Sequence, residues 1–297
     1  MKILIIGSQG FIGQNLYNFF SKKHIVNAAD VFYHLEQEHF SLLRKVDTDY
    51  FDLFKNVNYD LCINASGNGS VPVSLEDPML DFELNVRNTF KILESIKKYN
   101  PDCKFINLSS AAIYGNPERL PINESNSVKP LSPYGWHKKM TEDLCREYFC
   151  LYNVRSVSLR LFSVYGEGLR KQLFWDLFNK IKHSSNIELF GTGSETRDFI
   201  YIQDVLHAIQ CIIDNCDFSA NVINVASGEE TSISTAAQIF CQAISSNVNI
   251  IFTNKVKAGD PLKWKADTSL LEGMGFVRRT SINDGLKNTA KWLLENV

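Results

Sequence analysis

The sequence lacks the features that mark nucleic-acid-binding and membrane-spanning proteins. Its 297 residues carry a formal charge of −2, so there is no basic excess to attract a nucleic acid or an anionic membrane surface. No apolar run approaches the ~18 residues that a spanning helix needs, and the short apolar start at residues 3–6 has no cleavage site after it. We therefore expect a cytoplasmic protein that binds neither nucleic acid nor membrane.

Paired cysteines are also lacking. The seven cysteines are scattered, odd in number and without a Cys-x-x-Cys spacing. A disulfide framework or a zinc site needs paired spacing, so we expect neither, and no metal. What the chain has in quantity is apolar residues, 44% of the total, which is enough for one large domain or two interlocked ones.

The chain begins with a pattern typical of dinucleotide binding. An apolar strand at residues 1–6 leads into Gly7-Ser8-Gln9-Gly10-Phe11-Ile12-Gly13, and a helical pattern follows. In such a loop the first glycine permits a tight turn, the second lets the backbone approach a pyrophosphate, and the third allows close helix–strand packing. A second strand ends at Asp30, whose carboxylate would bind a ribose diol and repel a 2′-phosphate. The pattern predicts binding of NAD in preference to NADP.

Strands continue to alternate with helices after Asp30. We predict strands at 42–46, 61–64 and 105–108, with a helix at about 78–99 before the last of them. This alternation predicts an α/β fold with a Rossmann-type, doubly wound parallel sheet. Ligands bind at the carboxyl ends of such strands. Asp47, Ala65 and Ser109 each follow a predicted strand, so we expect them to face the dinucleotide.

The candidate proton-transfer residues lie between positions 105 and 138. A strand ends in Ser109-Ser110, and after a loop at 114–131 a helix begins in which Tyr134 and Lys138 lie one turn apart on the same face. A cation ~4 Å from a phenol is worth roughly 4 kcal/mol at an effective dielectric near 20, which could lower the phenol pKa towards neutrality. Ser110 could hold a sugar oxygen while Tyr134 moves its proton. A surface Tyr–Lys pair on an amphipathic helix explains the spacing equally well.

The C-terminal part is expected to form a smaller, interwoven α/β substrate lobe, because no linker, repeat or low-complexity tract precedes it. We predict a cofactor domain of residues 1–165 plus about 196–226, and a substrate lobe of about 166–195 plus 227–297. Arg197, beside a glycine-rich turn, could bind a diphosphate or form a surface pair with Asp198. Lys257 and Asp260 lie on a turn that by itself is consistent with a solvated loop.

Together these motifs resemble the extended short-chain dehydrogenase/reductase family, and more narrowly its nucleotide-sugar epimerases, dehydratases and 4-keto reductases. The resemblance rests on Gly7-x-x-Gly10-x-x-Gly13, Ser109-Ser110-Ala111-Ala112-Ile113-Tyr114-Gly115, Ser132-Pro133-Tyr134-Gly135-x-x-Lys138, and Gly191-x-Gly193-x-x-x-Arg197-Asp198-Phe199. It implies that Ser110, Tyr134 and Lys138 are catalytic. It further implies cofactor contacts from Gly7, Gly10, Phe11, Ile12, Gly13, Asp30, Asp47, Ala65, Asn85, Ser109, Tyr134, Lys138 and Phe162. The implied substrate contacts are Ser110, Ser163, Phe190, Arg197, Lys257 and Asp260.

The sequence also departs from the family pattern. Ala111-Ala112 stand where the 4,6-dehydratases carry an Asp-Glu pair, which argues against dehydration. Ser163 replaces the usual Asn and Lys257 replaces a frequent Arg, so the sugar and the nucleotide base of the substrate stay unassigned. The resemblance implies an NAD-dependent nucleotide-sugar 4-epimerase acting through a 4-keto intermediate by reversible hydride transfer. The alternative is an NAD(P)H-dependent nucleotide-4-keto-6-deoxysugar 4-reductase. The resemblance also implies a homodimer formed through helices at about 78–99 and 134–152.

Overall fold

The computed structural model describes residues 1–32, 37, 39–44, 47–245, 247–255, 259 and 261–297. The strands are β1 (Lys2–Ile6), β2 (Ile25–Asp30), β3 (Phe40–Leu42), β4 (Leu61–Asn64), β5 (Lys104–Ser110), β6 (Ser156–Leu161), β7 (Ser163–Tyr165), β8 (Asn186–Leu189), β9 (Thr196–Arg197), β10 (Phe199–Tyr201), β11 (Ser219–Val225), β12 (Thr231–Ser232) and β13 (Asn249–Phe252).

The helices are α1 (Phe11–Phe20), α2 (Phe51–Lys55), α3 (Val71–Glu76), α4 (Pro78–Phe82), α5 (Asn88–Tyr99), α6 (Pro133–Tyr152), α7 (Gln172–Ile181), α8 (Ile202–Asn215), α9 (Ile233–Ala243), α10 (Ser269–Gly273) and α11 (Ile282–Asn296). A π-helical turn, Glu83–Arg87, follows α4, and a 3₁₀ turn, Ala111–Tyr114, follows β5. In the described part of the chain no helix is long and apolar enough to span a membrane. The same residues hold no cluster of three or more His, Cys, Asp or Glu suited to a metal ion.

The chain divides into two compact units. Unit 1 comprises residues 1–114, 128–161 and 215–223, and unit 2 comprises 115–127, 162–214 and 224–297. The sequence-based boundaries placed residues 115–127, 162–165, 196–214 and 224–226 with the first domain, whereas the structure groups them in unit 2. The physical reason is bonding to the C-terminal part of the chain, because β9 forms an antiparallel pair with β12 and the Asp198 carboxylate accepts from the amides of Gly228 and Ala266.

Unit 1 is built on the predicted doubly wound sheet, which is confirmed. The strand order is β11-β6-β5-β4-β1-β2-β3, and the pairs from β6 to β3 are parallel. The central strand β1 is fully buried, with residues 3–6 no more than 1% exposed, as expected for a strand that helices cover on both faces. The strand order reverses between β1 and β4, which is where ligands bind in sheets of this kind.

Two elements of unit 1 differ from the prediction. Strand β3 ends at Leu42 because that residue pairs with Asp30, the last residue of its partner β2. The predicted strand at 42–46 is therefore wrong in position, and residues 45 and 46 lie outside the described residues. The helix predicted at about 78–99 is interrupted by the π-helical turn Glu83–Arg87. Turns of this type occur frequently at functional sites.

Unit 2 contains short strand pairs and an aromatic core. Strand β7 pairs with β10 and β8 with β13, both in parallel, while β9 and β12 are antiparallel. The Phe174 ring lies 5.3–5.6 Å, centroid to centroid, from the rings of Tyr165, Phe199 and Phe240. This packing brings α7, α9 and the β7–β10 pair together.

Candidate active site

The loop after β1 contains two glycines that the protein itself requires and one that it does not. Gly7 has a φ of +83°, and a Cβ there would lie 2.5 Å from the Ser66 amide nitrogen. A Cβ on Gly13 would lie 2.0 Å from the Gly7 carbonyl oxygen. Gly10 has a φ of −70°, and a Cβ there would meet only the Gly7 carbonyl oxygen, at 3.4 Å. The protein therefore leaves the space beside Gly10 open, as the close approach of a pyrophosphate requires.

The start of α1 completes this loop. Phe11 and Ile12 form the first turn, and both are partly exposed. The N-cap residue Gly10 has no side chain to bond the first amides of the helix. An anion bound there would satisfy those amides and interact favourably with the helix dipole.

Asp30 ends β2 and is bonded to the same loop. Its Oδ2 accepts a hydrogen bond from the Gln9 amide at 2.8 Å, and its Oδ1 accepts one from the Val31 amide at 2.6 Å. Gln37, which the sequence analysis missed, accepts from the Ser8 hydroxyl at 3.0 Å and from the Gln9 side chain at 2.6 Å. The loop is thus held from two sides. No local pattern could have revealed Gln37, because its partners lie 28 and 29 residues away.

Ala65 and Asn85 lie beside the end of β4. The Ala65 amide donates to the Ile6 carbonyl at 2.8 Å, which places it next to β1. The Asn85 side chain, in the π-helical turn, donates to the Asn68 carbonyl and to the Asp81 carboxylate. Its Oδ1 is buried and has no hydrogen-bond partner among the described residues. Because a buried acceptor without a donor is costly, this atom suits a donor supplied by a ligand.

Asp47 forms ion pairs with one residue of the π-helical turn and one of the helix α5 that follows it. Its Oδ1 accepts from the Lys91 ammonium at 2.6 Å and from the Arg87 guanidinium at 3.1 Å. The hydrogen bond from Lys91, followed by the charges of both cations, lowers the pKa of Asp47. The side chain is 69% exposed. Its contact with a dinucleotide stays a prediction.

Ser110, Tyr134 and Lys138 come together at the end of β5. The Ser132 hydroxyl caps α6, so that Tyr134 lies in the first turn as predicted. The Ser110 hydroxyl hydrogen-bonds to the Tyr134 phenol. The Lys138 ammonium lies 5.8 Å from the centre of the Tyr134 ring. The spacing therefore does not describe a surface Tyr–Lys pair, because Lys138 is buried.

The predicted acidification of Tyr134 is wrong for the protein without ligands. Burial raises the pKa of the phenol above its ordinary value of 10.0, and the negative charge of Asp81 adds to this, while the Ser110 hydrogen bond opposes it. The Lys138 ammonium donates to the Leu108 carbonyl at 3.0 Å. The ~4 kcal/mol for a neighbouring cation is a value before any solvation cost, and burial of the phenolate adds that cost.

Ser109 belongs to a buried network that the sequence analysis missed. Its hydroxyl donates to the Glu142 carboxylate at 2.7 Å. Glu142 in turn accepts from two nitrogens of Arg160, at 3.0 and 2.8 Å, and both side chains are at most 5% exposed. Arg160 also donates to the Tyr114 hydroxyl at 2.8 Å. Because the Ser109 hydroxyl is committed to this network, its predicted cofactor contact would involve the backbone.

Within unit 2, Phe162 and Arg197 share a neighbour. The Phe162 and Trp264 rings meet edge to face with centroids 5.8 Å apart, and the Arg197 Cζ lies 5.7 Å from the centre of the Trp264 ring. One guanidinium nitrogen of Arg197 donates to the carbonyls of Thr196 and Pro261, at 2.9 and 2.8 Å. These contacts orient the guanidinium.

Asp198 does not form the surface pair with Arg197 considered above, because it is fully buried. Its carboxylate accepts from the Ser227 amide and hydroxyl, and from the amides of Gly228 and Ala266, at 2.7–3.1 Å. Burial raises the pKa of Asp198 to about 6, although these donors act in the opposite direction. The Ser163 amide donates to the Asp198 carbonyl at 3.0 Å. Asp198 therefore connects separate segments of unit 2.

Phe190 follows β8 and is 61% exposed. It lines an open cavity of about 500 Å³ in unit 2, together with residues of α7 and β8. An exposed aromatic ring beside a cavity can stack on a planar ligand. Lys257 and Asp260, also predicted to contact substrate, lie outside the described residues.

Known proteins resemble this chain over nearly its whole length. It is 29% identical over 314 residues to a provisional UDP-glucose 4-epimerase of Methanocaldococcus jannaschii, with 99% of each protein covered. It is 26% identical over 322 residues to the UDP-glucuronate 4-epimerase of Thermodesulfobacterium geofontis, covering 99% of this chain and 96% of that one. The structure of UDP-glucuronic acid 4-epimerase from Bacillus cereus, in complex with UDP-glucuronic acid and NAD, matches with a TM-score of 0.90 at 26% identity, covering 99% of each chain.

The family model of NAD-dependent epimerases and dehydratases matches residues 3–226. The chain therefore belongs to the NAD-dependent epimerase/dehydratase family, which lies in the extended short-chain dehydrogenase/reductase group. The predicted family and the predicted cofactor, NAD, are both confirmed at this level.

Proposed function

We propose that this protein is an NAD-dependent 4-epimerase of nucleotide-diphosphate sugars, with Ser110, Tyr134 and Lys138 as its catalytic residues. The convergence of Ser110, Tyr134 and Lys138 at the end of β5 carries the proposal, because the Lys138 ammonium donates to the Leu108 carbonyl at 3.0 Å and lies 5.8 Å from the centre of the Tyr134 ring. This arrangement presents two hydroxyl groups together at the sheet edge where doubly wound folds bind their ligands. Relatives named as 4-epimerases support the choice of the sugar C4 position.

The NAD site would be formed by residues of the glycine loop and the neighbouring strand ends. The fit rests on the open space beside Gly10 and on the buried Asn85 Oδ1 that lacks a partner among the described residues. The Asp30 carboxylate would accept ribose hydroxyls and repel a 2′-phosphate. NAD, when bound, supplies a hydride acceptor that can return the hydride, and a positively charged ring. The proposed contacts are Gly7, Gly10, Phe11, Ile12, Gly13, Asp30, Asp47, Ala65, Asn85, Ser109, Tyr134, Lys138 and Phe162.

In this proposal Tyr134 accepts and returns the proton of the sugar C4 hydroxyl. Ser110, one hydrogen bond away, orients the same sugar oxygen. Because burial raises the pKa of the phenol, the base form needs a positive charge close by. The Lys138 ammonium is held near the Tyr134 ring by its bond to the Leu108 carbonyl. Holding the reacting groups in register is worth several kcal/mol.

Unit 2 would supply the nucleotide-diphosphate contacts. Arg197 is the proposed phosphate ligand, because its guanidinium is oriented by two carbonyls and lies over the Trp264 ring. Phe190, which is exposed at a cavity, would stack on the base. Ser163, Lys257 and Asp260 complete the proposed set. UDP is the favoured nucleotide, since the relatives reported above are named for UDP-sugars.

A homodimer located in the cytoplasm is part of the same proposal. Helices α4–α6 of unit 1 carry large apolar side chains that are exposed, among them Met79 at 70% and Trp136 at 52%. Phe82, Phe90 and Met140 are exposed on the same helices. An apolar surface of this kind favours association of two copies. None of the seven cysteines, all of which lie in the described part of the chain, forms a disulfide, which fits a reducing compartment. Light scattering should give twice the chain mass, and Trp136→Glu should give the monomer.

The test is an epimerisation screen of the purified protein across UDP-, TDP-, GDP- and CDP-sugars, with extraction of the retained nucleotide. We expect stoichiometric NAD and interconversion of a UDP-sugar with its C4 epimer. Tyr134→Phe should retain NAD and lose turnover by a factor of roughly 10²–10⁴. A protein that carries no nucleotide and oxidises added NADPH with a 4-keto sugar would instead be the 4-reductase.

A further inference from the structure

A buried polar cluster surrounds Asp81, which no motif singled out. The Asp81 side chain is 0% exposed, and its Oδ2 lies 2.5 Å from Nδ1 of His137. Its Oδ1 accepts from the side-chain amides of Asn68, at 2.6 Å, and Asn85, at 3.1 Å. The cluster joins four segments of unit 1: the loop after β4, helix α4, the π-helical turn and helix α6.

Stability alone does not account for this cluster. Taking a carboxylate out of water costs several kcal/mol, and well-packed apolar side chains of similar volume are often as stable as a buried ion pair. His137 lies within the Tyr134–Lys138 turn of α6, three residues after the proposed catalytic base. The Phe82 ring packs edge to face on the imidazole, with ring centroids 5.5 Å apart. The pair is therefore buried beside the stretch of α6 that carries Tyr134 and Lys138.

We propose that Asp81 and His137 form a positioning pair that holds the Tyr134 turn of α6 and presents a buried negative charge, shielded by the imidazole, to the phenol. The inference rests on the proposed function, in which Tyr134 transfers the proton. Neither residue need touch substrate, since both act through Tyr134. Asn68 and Asn85 fix the carboxylate from the opposite side, so its position relative to α6 is defined by three donors.

The electrostatics of the site agree with this arrangement. The charge of Asp81 raises the pKa of the Tyr134 phenol, in the same direction as burial, whereas the Ser110 hydrogen bond lowers it. Lys138 is the cation of the same turn, and its ammonium lies 5.8 Å from the centre of the Tyr134 ring. The other charged groups on the elements packed against this turn are paired or exposed: Glu142 with Arg160, Glu83 with Arg87, Glu94 with Lys97, Lys139 with Asp143, and Glu76 and Asp77 in solvent.

The test compares pH–rate profiles of NAD-loaded wild type, Asp81→Asn, His137→Gln and the double variant with the epimerised UDP-sugar. Asp81→Asn keeps the shape of the side chain and removes the negative charge. The acid limb of the pH–rate profile, which reports the pKa of Tyr134, should therefore move to lower pH by about half to one pH unit. His137→Gln keeps a donor to Asp81 but removes the side chain of the pair that can carry a positive charge, so the acid limb should move to higher pH. The double variant should behave like Asp81→Asn, because the charge that His137 shields is then absent.

A second measurement does not depend on turnover. In protein labelled with ¹³Cζ-tyrosine, the Tyr134 resonance, assigned by its loss in Tyr134→Phe, should titrate at lower pH in Asp81→Asn and at higher pH in His137→Gln. Lys139→Gln, an exposed change one residue beyond Lys138, is the matched control and should leave both curves in place. A purely structural cluster would lower stability and leave both curves unmoved, and that result overturns the proposal. Full turnover by Tyr134→Phe would instead refute the proposed function.

Discussion

The loop after β1 allows cofactor binding and folding to be separated by the same substitution at two positions. At Gly13 an added Cβ would lie 2.0 Å from the Gly7 carbonyl oxygen, a backbone atom that cannot rotate away. At Gly10 the nearest atom would be 3.4 Å away, and the φ of −70° suits alanine. Gly13→Ala therefore tests a contact within the protein, whereas Gly10→Ala tests space that the protein leaves open.

Each variant should change a different quantity: Gly13→Ala should lower the stability of the fold, and Gly10→Ala should weaken NAD binding. Gly13→Ala must shift helix α1 away from β1, and overpacking of this kind costs about 3 kcal/mol or more. Gly10→Ala changes only the N-cap of α1, at a cost of about 1 kcal/mol or less. In the loaded protein the Gly10 methyl group would occupy the space proposed for the pyrophosphate, so NAD should bind at least about tenfold more weakly, or about 1.4 kcal/mol.

Urea denaturation of nucleotide-free protein measures the first effect, and calorimetric titration with NAD measures the second. We expect Gly13→Ala to unfold at a clearly lower urea concentration and Gly10→Ala to unfold close to the wild type. Only the titration of Gly10→Ala with NAD measures the effect on binding alone, because this variant preserves the fold. Equal destabilisation by both variants, or unchanged NAD affinity in Gly10→Ala, would refute the reasoning about the open space.

Three further predictions concern buried ionisable groups. Glu142→Gln leaves the Arg160 guanidinium buried without its carboxylate, so the free energy of unfolding should fall by about 3–5 kcal/mol. The control is Lys139→Gln, at a surface pair with Asp143, which should change the free energy of unfolding by less than about 1 kcal/mol. Similar losses in urea denaturation would contradict this difference. Asp198→Asn places an amide nitrogen against backbone donors and should cost about 2–3 kcal/mol by the same assay, and a variant as stable as the wild type would show that the four hydrogen bonds contribute little. Finally, because the folded pKa of Tyr134 lies above its unfolded value of 10.0, its stabilising contribution is complete below pH 10.0 and is lost as the pH rises through the folded value. The stability of nucleotide-free wild type should therefore fall relative to Tyr134→Phe at alkaline pH, and parallel curves would refute the raised pKa.

The features that sequence reasoning predicted correctly depend on short spacings. The turn at Gly7, the end of β2 at Asp30 and the one-turn spacing of Tyr134 and Lys138 each follow from fewer than ten residues of local pattern. The parallel pairing of the strands then follows from the alternation of strands and helices, because parallel neighbours require crossover connections. The division of the chain depends on contacts between distant segments, such as the pairing of β9 with β12 and the hydrogen bond from the Ala266 amide to Asp198, which no local pattern reveals.

The features that it missed depend on partners far apart in the chain. His137 meets Asp81 across 56 residues, and the Asp198 carboxylate meets the Ala266 amide across 68. A polar residue within an amphipathic helix has the same local pattern whether it faces water or a buried carboxylate. The π-helical turn was missed for a related reason, since Glu83–Arg87 has ordinary helical composition and its wider winding accompanies the contacts of Asn85.

The wrong sign predicted for the Tyr134 pKa bears on the mechanism. The predicted lowering of the pKa included only the Coulomb attraction of a cation at ~4 Å, which stabilises the phenolate. In the structure the phenol is buried near the charge of Asp81, and the Lys138 ammonium is bonded to the Leu108 carbonyl. Burial and the charge of Asp81 therefore favour the protonated phenol, and positive charge close to the ring, from Lys138 and from a bound cofactor, favours the base form. Proton transfer is then coupled to cofactor occupancy, and ultraviolet difference spectra should show Tyr134 ionising at lower pH in the NAD-loaded protein than in the stripped protein.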